Sequence, residues 1–286
     1  MKMKIDADSS ANLLALPDID FGVVPLHIIV GENDYIDDDK IDLTAMQENL
    51  SSYKGKTSTS SPSPHEWENA FGDADVVFCI TITSSLSGTY NSAVIAKDIY
   101  EHNHTGRKVY VLDSLSTGPE IALFIEKIAE LIKAGFAPDD IYKTLLEYKD
   151  KTHLYFSLAS LNNFAKNGRI SPVIAAGIGL LGVRVVGKAS DEGTLLPLDK
   201  CRGEKRALKK LIDHLKECGY TDGKIIIAHN NNEAGALELK KLIENTFGIF
   251  NGTIQKTRAL CSYYAEPGSL LIGFEASLCN HKPYKD

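Results

Sequence analysis

Along the first half of the chain, short apolar runs alternate with longer stretches in which hydrophobic residues recur at helical spacing. Residues 75–82 (DVVFCITI) are almost continuously apolar, which is typical of a parallel strand buried on both faces. Further strands are predicted at 23–30 and 107–113, and helices at 118–136 and 138–149. Strands followed by helices predict an α/β fold with a mainly parallel sheet covered on both sides.

The second half has a different order of elements. Two predicted strands, 183–189 and 194–200, flank the turn sequence Ser190-Asp191-Glu192-Gly193, which indicates a hairpin. The other predicted elements are strands at 154–156, 224–229, 253–257 and 269–275 and helices at 158–166, 203–218 and 232–247. The hairpin predicts antiparallel pairing, so we expect a second α/β domain with a mixed sheet. The predicted domains are residues 1–155 and 156–286.

Composition narrows the class of protein. The 286 residues are 43% hydrophobic, which suits two medium-sized domains, and a net charge of −7 without a basic stripe argues against nucleic acid as a partner. We expect neither a signal peptide nor a membrane span, because the first residues lack an apolar core and no run reaches bilayer length. Five scattered cysteines without a CxxC pair predict reduced thiols, no metal site and a cytoplasmic location.

A first hydroxyl-rich segment covers residues 58–67 (STSSPSPHEW). Its end predicts a helix start, with Ser63 as N-cap, Pro64 in the first turn and Glu66 completing a capping box. That helix start leaves residues 59–61 unexplained. They either contact a ligand or form a solvated loop, and composition alone does not separate the two.

A second hydroxyl-rich segment, residues 83–90 (TSSLSGTY), directly follows the apolar strand that ends at Ile82. Ligands of open parallel sheets bind outside the carboxyl ends of the strands. The unpaired N–H groups of a following helix, together with serine hydroxyls, would form a neutral site for an anion. The alternative is that Ser87 caps the helix and that the rest of the segment is a turn.

The kind of anion follows from what these segments lack. Neither has a lysine in the arrangement of a phosphate-binding loop, so a carboxylate is favoured over a nucleotide phosphate. A carboxylate held only by hydroxyls needs an apolar partner for affinity. An acyl chain of about fifteen methylenes would contribute roughly 12 kcal/mol before ordering costs, at about 0.8 kcal/mol per buried CH₂.

Six short motifs resemble the DegV family in order and spacing over nearly the whole chain. They are Asp8-Ser9, residues 59–64 (TSSPSP), residues 84–90 (SSLSGTY), residues 111–114 (VLDS), residues 168–171 (GRIS) and residues 228–230 (AHN). The resemblance implies a fatty acid bound between two α/β domains. It also implies a non-catalytic role, since several family members are the binding subunit of bacterial fatty acid kinase and present the carboxyl group to a separate kinase.

The resemblance also implies which residues contact the carboxylate. Thr59 and Ser84 are the first candidates, and Thr83 lies where the family often has serine. Arg202 lies where the family carries an arginine near the head group, although the basic run around it is also typical of a solvated helix face. Further candidates are Ser85, Ser60, Gly88, Arg169 and His229. The expected ligand has about fourteen to eighteen carbons, and membrane contact is expected to be transient.

The chain departs from the family pattern at two positions. Tyr264 stands where relatives have a histidine before the glycine-containing C-terminal strand, and Ser61 stands where a glutamine is usual. Tyrosine can donate a hydrogen bond to a carboxylate but carries no positive charge. The head-group chemistry and the partnership with a kinase are therefore the parts of the resemblance that these substitutions affect.

Two other functions are considered. A serine hydrolase acting on acyl esters would use Ser84 or Ser87 with His229 and Asp113, although no GxSxG elbow is present. A binding module for a non-lipid carboxylate is the other alternative. Residues 177–182 match GxGxxG, but the predicted order of helix before and strand after is the reverse of a dinucleotide site.

Overall fold

The computed structural model describes residues 1–170 and 182–276. The strands, in chain order, are β1 Met3–Asp8, β2 Phe21–Val24, β3 His27–Val30, β4 Asn33–Ile36, β5 Thr57–Ser60, β6 Val76–Thr81, β7 Lys108–Asp113, β8 Thr152–Leu158, β9 Val183–Ala189, β10 Leu195–Arg202, β11 Ile225–His229, β12 Gly252–Lys256 and β13 Leu270–Glu275. The helices are α1 Leu43–Ser52, α2 Pro64–Phe71, α3 Thr89–Asn103, α4 Pro119–Lys133, α5 Pro138–Lys149, α6 Asn162–Lys166, α7 Glu204–Glu217, α8 Glu233–Phe247 and α9 Ala259–Ala265.

The first sheet is parallel, with strand order β2-β1-β6-β7. Every residue of β6 is buried, in agreement with its continuous apolar sequence. Helices α2 and α3 cover one face through Trp67, Phe71 and Tyr100, and α4 and α5 cover the other. The predicted fold class of the first half is therefore confirmed.

The segment predicted as one strand over 23–30 is two strands in the structure. Strand β2 ends at Val24, and β3 begins at His27 and pairs with β4 and β5 in a separate antiparallel sheet. Pro25 lies at the break, where its missing N–H cannot continue a ladder of hydrogen bonds. The next amide, of Leu26, donates instead to Ser9 Oγ at 3.0 Å. The prediction of one strand over 23–30 is therefore wrong, and Pro25 is the physical reason.

The other large sheet is mixed, with strand order β10-β9-β8-β13-β11-β12. Only the β11–β12 pair is parallel among its described strands, and the β9–β10 hairpin is present as predicted. Strand β8 alternates between two environments, as side chains of a strand must. Tyr155 packs with helices α7 and α8 on one face, whereas Leu154, Phe156 and Leu158 point to the opposite face.

Helix α4 crosses the mixed sheet at Gly273 of β13. A Cβ at Gly273 would lie 2.5 Å from the backbone nitrogen of Glu120, so only glycine permits this close approach of the helix start. Strand β8, which pairs with β13, begins at Thr152. The predicted border between residues 155 and 156 therefore falls inside a strand, and the division into domains 1–155 and 156–286 stays a prediction.

Three of the five cysteines, Cys79, Cys201 and Cys261, are free and buried. For these three, the predicted free thiols agree with the structure.

Helix α9 is held by a carboxylate from far away in the sequence. Asp37, which is fully buried, accepts hydrogen bonds from the amides of Ala259 at 3.1 Å and Leu260 at 3.0 Å. Arg258 Nε lies 3.3 Å from the same carboxylate. These contacts satisfy the first amides of the helix and pair a buried charge. Burial raises the pKa of Asp37, and the two amides and Arg258 act in the opposite direction.

We expect Asp37→Ala to lower the free energy of unfolding by about 3 kcal/mol, because it leaves Arg258 as a buried charge without its partner. Urea denaturation measures the effect. Asp39→Ala, at an exposed position two residues away, is the matched control and should leave the midpoint near that of the unchanged protein. Equal midpoints for the two variants would contradict this role of Asp37.

Candidate functional site

An apolar cavity of about 310 Å³ lies between the two large sheets. Loops at the carboxyl ends of β5, β6 and β7 form one wall, and the outward face of β8 with helix α9 forms the other. Its volume is within the range of about 300–1,000 Å³ that small-molecule sites occupy. The apolar lining residues are Leu26, Ile82, Leu86, Leu115, Leu154, Phe156, Leu158, Phe164, Ala189, Leu195, Leu260, Cys261, Ala265 and Leu271.

Polar groups meet at one end of this cavity. Thr59 Oγ1 and the hydroxyl of Tyr264 are 2.8 Å apart and form a hydrogen bond. Arg169 lines the same cavity, and its Nε donates to the carbonyl oxygen of Leu86 at 3.2 Å. Burial raises the pKa of Tyr264, while the hydrogen bond from Thr59 and the charge of Arg169 lower it. The hydroxyls and the guanidinium together can donate hydrogen bonds to an anion.

The position of Tyr264 follows from the anchoring of α9. Its neighbour Tyr263 is fully buried, and its hydroxyl lies 2.7 Å from Thr57 Oγ1. Thr57 and Thr59 are alternate residues of β5, so the two tyrosines are held by one strand. Phe164 of α6 packs against Tyr264 with ring centroids 4.9 Å apart. Sequence reasoning placed Thr59, Arg169 and Tyr264 in one site, and the structure brings all three to this cavity.

The two hydroxyl-rich loops meet beside this polar end. A Cβ at Gly88 would lie 3.3 Å from Ser61 Oγ, so the loops are in contact there. Ser60, Ser61, Ser87 and Gly88 all line the cavity. The predicted capping box of Ser63 and Glu66 is present at the start of α2. Gly88, not Ser87, occupies the N-cap position of α3, but the Ser87 hydroxyl accepts from the amide of Thr89 at 3.4 Å and pairs with Thr89 Oγ1 at 2.8 Å. The alternative that Ser87 supplies a hydrogen bond to the helix start is therefore met in part.

Thr83 and Ser85 hold the tip of the β9–β10 hairpin over the cavity. Thr83 Oγ1 donates to the carbonyl oxygen of Gly193 at 2.9 Å, and Ser85 Oγ donates to that of Glu192. Gly193 itself lines the cavity and has a positive φ of 75°. Both hydroxyls predicted as carboxylate ligands thus join the second large sheet to the loop that follows β6.

Four of the predicted residues, Ser84, Ser85, Arg202 and His229, lie outside the lining of this cavity. Ser84 is exposed, and its amide donates to Asp113 Oδ1 at 3.1 Å. Arg202 is exposed at the end of β10. His229 is buried at the end of β11, where Asn232 N donates to its Nδ1 at 3.3 Å, and burial lowers its pKa. His229 is hydrogen-bonded within its own turn and not to Ser84 or Asp113, so these three residues do not form a catalytic triad.

Sequence reasoning missed Ser116, Thr117 and Thr194, whose residues also line the cavity. Ser116 and Thr117 follow β7 as Thr83 and Ser84 follow β6. The same rule about carboxyl ends of parallel strands would therefore have found the first two. Thr194 lies in the predicted hairpin, and nothing in the sequence indicated that this turn reaches the first half of the chain.

A second cavity, of about 550 Å³, adjoins the first and is more polar. The two share three lining residues, Leu115, Leu154 and Ala189. Glu120 is buried in the second cavity and accepts a hydrogen bond from Thr152 Oγ1 at 2.8 Å. Burial raises the pKa of Glu120 to about 7. Leu115, Leu154 and Ala189 therefore form the boundary between the apolar cavity and the second cavity, which contains ionisable side chains.

Two further properties concern the residues that the structure describes, 1–170 and 182–276. No cluster of three or more histidine, cysteine, aspartate or glutamate side chains there could hold a metal ion. No helix among them is both long and apolar enough to cross a bilayer. The GxGxxG match at 177–182 lies almost wholly outside the described residues.

These features define an α/β protein with a parallel and a mixed sheet and an apolar ligand cavity between them. The chain belongs to the DegV family, because the family model described as "Uncharacterised protein, DegV family" matches residues 2–277. A DegV domain-containing protein of Streptococcus pneumoniae is 40% identical over 279 residues, which are 96% of this chain and 99% of that protein. The predicted membership is confirmed.

Two solved structures are similar along their whole length. The Streptococcus pneumoniae Fatty Acid Kinase (Fak) B3 protein loaded with linoleic acid is 40% identical, with a TM-score of 0.95 and coverage of 96% of this chain and 100% of that one. A DegV family protein from Eubacterium eligens loaded with heptadecanoic acid is 39% identical, with a TM-score of 0.94 and coverage of 96% and 99%.

Gly193→Ala should detach the hairpin from the loop that follows β6, because the added Cβ would overlap Thr83 Oγ1. We expect a loss of about 2 kcal/mol in the free energy of unfolding, of which about 1 kcal/mol comes from the positive φ. Gly135→Ala is the matched control, since its φ is +79° and a Cβ there meets nothing within 4 Å. Equal losses in urea denaturation would show that the contact with Thr83 contributes nothing.

Glu120→Gln should change how stability depends on pH. The folded chain keeps a proton on Glu120 between its ordinary pKa of 4.5 and about 7, whereas the unfolded chain has released it. Stability contributed by this group therefore falls as pH rises through that window. Glutamine is neutral throughout and still accepts from Thr152. The variant should gain stability relative to the unchanged protein between about pH 5 and pH 8.

Denaturant midpoints at these two pH values measure the change. Glu147→Gln, on the exposed side of α5, is the control and should keep the pH profile of the unchanged protein. A Glu120→Gln profile parallel to that of the unchanged protein would contradict the raised pKa.

Proposed function

We propose that this chain is a binding protein for a long-chain fatty acid and is not itself an enzyme. The observation that carries the proposal is the cavity whose lining is mainly apolar and at which the polar side chains of Thr59, Tyr264 and Arg169 meet. Such a lining matches an amphiphile with one anionic group and a long hydrocarbon chain. The Streptococcus and Eubacterium structures described above, loaded with linoleic and heptadecanoic acid, support the same ligand class.

The carboxylate accepts hydrogen bonds from Tyr264 and Thr59, and its charge lies beside Arg169. Hydrogen bonds donated to an ionised carboxylate are about twice as strong as neutral ones, so a few donors suffice for the head group. The acyl chain supplies most of the affinity, since each buried methylene contributes about 0.8 kcal/mol. A non-lipid carboxylate would leave the apolar lining unfilled, which disfavours that alternative.

The hydrolase alternative lacks its catalytic arrangement. His229 points into its own turn, and Asp113 accepts from the backbone amides of Ser84 and Leu115, each at 3.1 Å. A general base must be within hydrogen-bond reach of the nucleophile. Binding without hydrolysis therefore agrees best with the positions of these residues.

We further propose that the bound acid is presented to a separate kinase that forms acyl phosphate, as the name of the Streptococcus relative suggests. The expected ligand has about fourteen to eighteen carbons, and the chain is expected in the cytoplasm with transient membrane contact during loading. Mixing the loaded protein with such a kinase and ATP would test this role, because acyl phosphate should form only when both proteins are present.

Mass spectrometry of the purified protein tests fatty acid binding. A native mass that exceeds the denatured mass by one fatty acid, with that acid recovered in an organic extract, is the expected result. A native mass equal to the bare chain, together with no uptake of added palmitic acid after delipidation, would contradict the proposal.

Two tyrosine variants test the head-group assignment. Tyr264→Phe removes a hydroxyl at the cavity and should weaken binding of palmitic acid by about tenfold, the effect of one hydrogen bond to a charged group. Tyr263→Phe removes a hydroxyl that bonds Thr57 and should reduce stability while leaving affinity unchanged. Equal affinities of the two variants would contradict the assignment of Tyr264.

Thr59→Val and Ser84→Ala test separately the two hydroxyls that were the first candidates for contacting the carboxylate. Thr59→Val should weaken binding as Tyr264→Phe does, because its hydroxyl lies at the cavity. Ser84→Ala tests whether that exposed side chain reaches the ligand. Unchanged affinity in Ser84→Ala would restrict the site to the cavity residues, and unchanged affinity in both would remove the hydroxyl loops from it.

A further inference from the structure

Strand β8 forms one side of the apolar cavity. Leu154, Phe156 and Leu158 are alternate residues that face the same side, and all three line it. At about 3.3 Å per residue, the strand covers about 13 Å between Leu154 and Leu158. The cavity therefore has two distinguishable ends, one near each leucine.

The head-group end is the one near Leu158. Helix α6 follows directly after β8, and its Phe164 packs on the ring of Tyr264 with centroids 4.9 Å apart. Arg169 comes shortly after that helix and lines the cavity as well. A fatty acid with its carboxylate on Tyr264 and Arg169 therefore directs its methyl end toward Leu154.

At Leu154 the apolar lining ends. Leu115, Leu154 and Ala189 also line the second cavity, in which Glu120 and Lys149 lie on the far side. Leu154 is only 5% exposed, and its strand position is fixed by pairing with Gly273. A methyl end that passed this wall would enter a space of about 550 Å³ whose polar groups would lose water on contact with it.

We infer that Leu115, Leu154 and Ala189 form the wall that sets the maximum length of the acyl chain. This inference rests on the proposed function and adds to it the residues that determine chain length. Leu154 supplies a large side chain to the wall from β8, and Leu115 supplies another from the loop after β7. Ala189 supplies only a methyl group. The wall can therefore be thickened by a larger residue at position 189 or opened by a smaller one at position 154.

The two substitutions shift the length optimum in opposite directions. Leu154→Ala opens the wall and should move it to longer chains, whereas Ala189→Leu thickens the wall and should move it to shorter ones. Each additional buried methylene raises affinity about fourfold. The two additional methylenes of stearic over palmitic acid should thus raise the affinity about fifteenfold in Leu154→Ala. Leu158→Ala is the matched control, because it lies on the same face of the strand near the head group.

The experiment uses the delipidated full chain and saturated acids from myristic to behenic, measured by competition with a fluorescent fatty acid. Supporting results are a longer optimum for Leu154→Ala, a shorter optimum for Ala189→Leu and an unchanged optimum for Leu158→Ala. If Leu154→Ala fails to fold, Ala189→Leu decides alone. An optimum that Ala189→Leu leaves unchanged, in protein that still binds palmitic acid, would overturn the inference. No binding by the unchanged chain would instead overturn the proposed function.

Discussion

The carboxylate of Asp37 is the interaction on which the ligand cavity depends most. It joins the segment after β4 to the first two amides of α9, more than 200 residues later in the sequence. Helix α9 carries Tyr264 to the head-group end and Leu260 and Ala265 to the apolar lining. A helix of seven residues has little stability of its own, so tertiary contacts must hold it. This buried anchor therefore acts together with the contacts of Tyr263 with Thr57 and of Tyr264 with Phe164 to fix the tyrosine hydroxyl beside Thr59.

The cavity itself lies where one face of the mixed sheet meets the loops of the parallel sheet. The face of β8 that carries Leu154, Phe156 and Leu158 is apolar, and loops at the carboxyl ends of the parallel sheet cover it. Loops carry hydroxyls because their backbone cannot satisfy all polar groups alone. One wall is thus apolar and the other partly polar, which suits a ligand with a charged head and a hydrocarbon tail.

Periodicity predicted most strands and helices, and the resemblance to the DegV family implied that Thr59, Arg169 and Tyr264 belong to one site. They did not predict which loop hydroxyls face the cavity. Thr83 and Ser84 are neighbours, yet Thr83 binds the hairpin while the amide of Ser84 binds Asp113. That difference depends on the tertiary position of Gly193, which no local pattern contains. Arg202, which the resemblance implied, is exposed and outside the cavity lining, and its place near the head group stays a prediction.

Tyr264 changes the electrostatics of the head group in a definite way. A histidine at this position would add positive charge as pH falls below its ordinary pKa of about 6.5. Tyrosine stays neutral there, and burial raises its pKa further. Among the described lining residues, Arg169 therefore carries the positive charge alone. Because arginine stays protonated at all relevant pH values, the attraction of this site for a carboxylate depends on the ionisation of the ligand and hardly on that of the protein.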